Sequence, residues 1–210
     1  MIPLLVTILF YGLPLLIAVI GHELAHGYAA YLLGDSTAKL AKRLSLNPIR
    51  HIDLFMTILL PAFLVFAGSP IVFGGAKPVP INPFNFHYPK RDMMLVAVAG
   101  PFFNFVFAAI CFLILYSLRS NADGIYSQFF QQLLWLTLCI NVGLCIFNLF
   151  PILPLDGGRI LFGLLPNKLA RYFAYLEKYG LLILFAALYL GLFNNIMKIS
   201  FRYLESLLVK

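Results

Sequence analysis

Apolar positions in this chain come in long unbroken runs, not in the alternating or three-four spacings of soluble domains. The first run extends from about Ile2 to Leu33 and stops at Gly34-Asp35, a helix-end signal. As one helix it would measure roughly 48 Å against a hydrocarbon core of about 30 Å, so it must tilt, kink near Gly12 or Pro14, or protrude. Further runs cover about 92–118, 128–150 and 180–197, and a shorter one, 52–67, is broken by Pro61. Between them, 35–51 is polar and basic. Residues 68–91 carry Gly68, Gly74 and Gly75 with Pro70, Pro78, Pro80, Pro83 and Pro89, which no regular helix accommodates. The segment 156–178 is short and amphipathic, and so is the tail 198–210, which suits a membrane interface.

This pattern predicts an all-α polytopic membrane protein with about five to six transmembrane or re-entrant segments and a small irregular, β-like insertion. Residues 1–210 read as a single membrane domain. If the basic loops at 35–51, 68–91 and 156–178 share the cytoplasmic side, residues 52–90 must leave and return on one face. A re-entrant hairpin then fits 52–67, its irregular backbone shielded by protein. The expected location is a cell membrane crossed several times, with the basic loops on the cytoplasmic side and the lipid bilayer as a partner. Parity leaves the tail, with Lys198, Arg202 and Lys210, on the less suitable side. The N-terminus lacks a basic n-region and cleavage site and reads as a retained helix.

Composition narrows the functional classes. The chain is 62% hydrophobic and 11% charged, outside the range of soluble domains. Its net charge of +7 lies mainly between apolar runs without interleaved aromatics, which argues against nucleic acid. Cys111, Cys139 and Cys145 are odd in number and lack C-x-x-C spacing, so they read as core residues and not as disulfides or thiolate ligands. No G-x-S-x-G turn is present for a serine hydrolase.

One pentapeptide stands out: His22-Glu23-Leu24-Ala25-His26, inside the first apolar run. Helical spacing puts His22 and His26 one turn apart on one face, where two imidazoles can bind a single Zn²⁺ with Glu23 beside them as general base. Three ionisable groups in an apolar helix are costly, and function is the ordinary reason for them. The motif points to a metalloprotease whose site lies within the membrane.

A catalytic zinc usually has three protein ligands and a water, so one more is needed. Asp35, Asp53, Asp92, Asp123, Asp156, Glu177, Glu205, His51 and His87 are the candidates. Asp156 differs in following a Pro-broken helix and preceding Gly157-Gly158, where a bent backbone can aim it inward. A helix N-cap accounts for it equally well.

Three segments together resemble a known family. HELAH at 22–26, GPFFN at 100–104 and N-x-x-P-x-x-x-x-D-G at 148–157 are similar to the signature motifs of the site-2 metalloproteases, intramembrane zinc proteases. LNPIRHID within 45–53, and GGAKPVPINP at 74–83, resemble a compact bacterial subgroup without PDZ or CBS domains. The resemblance covers about 10–165. It implies one Zn²⁺ held by His22, His26 and Asp156, with Glu23 as the base acting on zinc-activated water. It also implies Asn148 as donor to the substrate carbonyl or oxyanion, and Asn104 as a polar-network residue of the core helices. The implied substrates are membrane-anchored proteins.

Two other readings use the same motif. A membrane zincin of the prenyl-protein-processing kind is disfavoured by the Asn148–Asp156 motif. A metal-binding protein or transporter built on His22, His26 and Asp156 would not need Glu23. Residues 68–90 offer either an extended edge for an unwound substrate or a loop packed over the core.

Overall fold

The computed structural model describes residues 4–59, 63, 66, 75–118 and 124–209. The first apolar run forms α1, Leu4–Leu32, with Pro14 inside it. It ends where Gly34 takes φ +107°, a conformation open to glycine. A short helix, α2 (Thr37–Leu40), and a 3₁₀ turn, Pro48–His51, follow. Leu54–Leu59 is a π-helical turn. Two long helices, α3 (Pro89–Leu118) and α4 (Ile125–Asn148), pack with α1. The rest is α5 (Asp156–Leu164), α6 (Asn167–Tyr175), α7 (Gly180–Tyr189) and α8 (Leu192–Val209).

The all-α expectation holds, and no strand occurs among the described residues. Among the described residues three helices are long and apolar enough to cross a membrane: Phe10–Leu32, Pro89–Leu118 and Tyr126–Asn148. The pair Asn167–Tyr189 and Leu192–Leu208, bent by 58°, makes a fourth if counted as one span. The five to six transmembrane or re-entrant segments expected are not reached among the described residues. The last apolar run breaks at Leu190-Gly191, where Gly191 has φ +69°. The re-entrant reading of 52–67 and the irregular, β-like reading of 68–91 fall partly outside the described residues, at 60–62, 64, 65 and 67–74. From Gly75 to Asn82 the chain has no regular secondary structure and forms no ladder.

Two clusters tie the helices. Ala108, Cys111 and Leu115 of α3 pack on Leu138 of α4, with Leu204 and Leu208 of α8 against them. Ala30 of α1, Phe86 and Val96 of α3 form the second, around the far end of α1. Outward faces stay apolar, as at Phe102, Phe105 and Leu113, which suits a lipid environment.

Candidate metal centre

His22 and His26 lie where α1 passes between α3 and the start of α5, and both are buried. His26 Nδ1 is 2.7 Å from the Val96 carbonyl oxygen, an acceptor only, so this nitrogen carries the proton and donates. His22 Nδ1 donates to Asn104 Oδ1 at 2.6 Å. Both Nε2 lone pairs therefore face inward, 3.0 Å apart. Asp156 Oδ2 completes the triangle, 3.1 Å from His26 Nε2 and 3.2 Å from His22 Nε2.

This donor set fits a metal ion. Two lone pairs and a carboxylate oxygen converging in a buried place repel one another unless a cation or protons lie between them. Tetrahedral zinc with bonds of about 2.0–2.2 Å places ligand atoms about 3.3–3.6 Å apart. The triangle is slightly smaller than that and of the same form. Among the described residues, His22, His26 and Asp156 are the group of metal-ligating side chains close enough to share an ion.

Local sequence explains the convergence. A Cβ on Gly100 would lie 2.4 Å from His26 Nε2 and 2.6 Å from His22 Cε1, so only glycine lets α3 approach the imidazoles. A Cβ on Gly157 would lie 2.2 Å from the Leu149 carbonyl oxygen. Its absence lets α5 start directly beneath the turn that ends α4. Asp156 is thus the first residue of α5, with Leu155 in the cap position, and its carboxylate turns to the histidines. The two readings of Asp156 left open by the sequence separate here, in favour of the inward one.

Glu23 points elsewhere. Its Oε2 accepts the Val79 N–H at 2.8 Å, which fixes the carboxylate against the extended segment. Glu23, His22 and Asn148 line a mainly apolar cavity of about 520 Å³, together with His51, Thr57 and Ala76. Asn148 Nδ2 donates to Leu144 O, one turn back on α4, at 3.0 Å. Asn104 sits in the core network as expected. His51 stands in the cavity wall, its Nε2 donating to Ser45 O at 2.7 Å, outside the ligating triangle. Asp35 and Asp92 are likewise remote: Asp35 binds the 82–85 turn, and Asp92 caps α3 through the Tyr88 N–H.

Sequence reasoning missed Asn141. It is wholly buried and accepts from Asn104 Nδ2 at 2.9 Å. A signal was available: an amide inside an apolar run, seven residues before Asn148, lies on the same helix face.

Residues 10–132 and 121–190 match the model of Peptidase family M50. The chain belongs to peptidase family M50. The resemblance to site-2 metalloproteases and the expectation of a metalloprotease stand with it. One M50-like relative is the Bacillus subtilis (strain 168) protein named "Putative zinc metalloprotease YwhC". It is 39% identical over 165 residues, 77% of this chain and 72% of that protein. Another is "Putative zinc metalloprotease Rip2" of Mycolicibacterium smegmatis, 28% identical over 162 residues, 77% of this chain and 60% of that protein. No solved structure matches the chain.

Proposed function

We propose that this protein is a zinc metalloendopeptidase that cuts membrane-anchored proteins within the bilayer, with His22, His26 and Asp156 as the metal ligands and Glu23 as general base. The observation that carries this is the convergence of two Nε2 atoms, on a helix long and apolar enough to span a membrane, with one carboxylate oxygen from the start of α5, all within 3.2 Å. Zinc names on the relatives point to the metal. A zinc ion held there supplies Lewis acidity and brings the pKa of a bound water from 15.7 towards about 7.

The chain's own residues do the rest. Glu23 Oε2 is held by Val79, leaving Oε1 to take the proton of the attacking water and return it to the leaving amine. Asn148 spends one amide proton on Leu144 O and has a second for the substrate carbonyl. The 75–79 segment supplies an edge for an unwound substrate. Its Lys77 N–H goes to His51 O, Lys77 O accepts from Arg43, and Gly75 O accepts from Thr57. Ala76, between these anchored residues, lines the cavity, where a substrate strand would meet its N–H and C=O. The bias of Lys and Arg towards loops 35–51, 68–91 and 156–178 supports a site on the cytoplasmic side.

The test is Glu23→Gln in detergent-purified protein, with zinc content and cleavage of a model transmembrane substrate measured together. The expected result is unchanged zinc and cleavage lowered by about 10²- to 10⁴-fold. Cleavage at the wild-type rate by this variant would end the general-base reading. The transporter alternative has no observation in its favour.

A further inference from the structure

We propose that Asn141 is a positioning residue of the metal centre, acting through Asn104 to fix the tautomer and ring orientation of His22. The inference rests on the zinc-site reading above and extends it to a residue two hydrogen bonds away.

Each amide in the chain has its orientation set by a main-chain carbonyl, which can only accept. Asn141 Nδ2 donates to Thr137 O at 2.9 Å, so Asn141 Oδ1 faces the other way. That oxygen meets Asn104 at 2.9 Å, so Asn104 must present Nδ2 there. The same Nδ2 also donates to Ala18 O at 3.3 Å, which demands the same orientation. Asn104 Oδ1 is then left facing His22 Nδ1 at 2.6 Å, and an oxygen at that distance requires Nδ1 to carry the proton. The Nε2 lone pair consequently points at His26 Nε2 and Asp156 Oδ2. Both asparagines are 0% exposed, so water does not compete at any link.

The relay crosses three helices, from Thr137 and Asn141 on α4, through Asn104 on α3, to His22 on α1. Without Asn141 the Asn104 amide keeps only the longer Ala18 bond to hold it. If it flips, it turns NH₂ towards His22 and favours the proton on Nε2, the tautomer that cannot ligate through that atom. Outer partners of ligating histidines typically matter by 10- to 100-fold in metal affinity.

The experiment compares wild type with Asn141→Leu, which removes the acceptor at similar volume, and Asn141→Asp, whose buried, protonated carboxyl donates to Thr137 O and keeps an acceptor oxygen facing Asn104. Zinc affinity is measured by chelator competition. The His22 tautomer is read by ¹⁵N-histidine NMR on metal-free protein, assigned with His22→Asn. The expected results are Nδ1–H at His22 in the wild type, about 10- to 100-fold weaker zinc binding with a shifted tautomer in Asn141→Leu, and near-wild-type behaviour in Asn141→Asp. Wild-type protein with the proton on Nε2 overturns the proposal even if Asn141→Leu does not fold. So does Asn141→Leu with unchanged zinc affinity and tautomer. Wild-type protein that binds no zinc, yet shows a His22 tautomer set by Asn141, would refute the zinc-site reading and leave the relay standing.

Discussion

Gly100 stands so close to His26 that a Cβ at position 100 would fall 2.4 Å from Nε2. The missing side chain is what lets α3 reach the histidines and deliver Asn104 to one of them. Alanine has the better helix propensity by about 1 kcal/mol. Gly100→Ala should nevertheless bind zinc at least tenfold more weakly, because the ring must leave the position where its lone pair meets Asp156. Chelator competition measures this, and undiminished affinity would refute the close-approach argument.

At Gly157 the obstruction is backbone. A Cβ there would lie 2.2 Å from the Leu149 carbonyl oxygen and 2.4 Å from that of Phe150. Overpacking of this kind costs about 1–3 kcal/mol. Gly157→Ala is expected to lower thermal stability and displace Asp156, so that zinc content falls with it. Asp156→Ala, measured alongside, separates loss of the ligand from loss of its aim.

Val79 carries a hydrogen bond that only its main chain supplies. Val79→Pro removes the N–H that Glu23 Oε2 accepts, whereas Val79→Ala keeps it. Turnover should fall about tenfold in the proline variant relative to the alanine one, with zinc content equal in both, a smaller loss than the roughly 10²- to 10⁴-fold expected from removing the base itself. Equal turnover in the two would show that Glu23 needs no such anchor.

Asp35, beyond the end of α1, gives a pH dependence. Burial pushes its pKa up, but hydrogen bonds from the Thr37 side chain, the Asn82 N–H, the Asn85 amide and the Thr37 N–H outweigh it and hold the carboxyl below its ordinary value. A folded pKa below the unfolded one, about 3.9, stabilises the fold above that pH. The contribution is lost as pH falls through the folded value. Asp35→Asn should be less stable than wild type at pH 7 by about 1–3 kcal/mol, with the gap closing at acid pH. A gap that stays constant from pH 7 to strongly acid pH would mean that the charge is not what matters.

Removing metal should both silence and loosen the protein. Binding to the folded state alone adds about 4 kcal/mol at a thousandfold excess over Kd. Chelation is expected to abolish cleavage and lower the unfolding temperature, and added zinc to restore both. The Asp156→Ala variant should show no such restoration. Calorimetry with and without chelator reads the difference.

Much of this molecule was legible in the residues. Long apolar runs demand helices in lipid, because backbone polar groups there must pair within their own segment. The stop at Gly34, the helices near 92–118 and 128–150, and the pairing of His22 with His26 follow from local rules alone. These involve contacts within one or two turns, which sequence spacing encodes.

Other features needed the fold. Whether Asp156 capped a helix or faced the histidines depended on how closely α5 starts beneath Leu149, a contact between chain segments. The break of the last apolar run at Leu190-Gly191 was hidden by uniformly apolar composition, since lipid-facing residues carry no periodic signal. Asn141 was overlooked because its meaning comes from Asn104, 37 residues away on another helix. Sequence by itself determined which groups are candidates for the chemistry and that His22, Glu23 and His26 lie in an apolar helix. Only the tertiary structure decided which way each lone pair points, because hydrogen-bond direction is set by partners that are distant along the chain and adjacent in space.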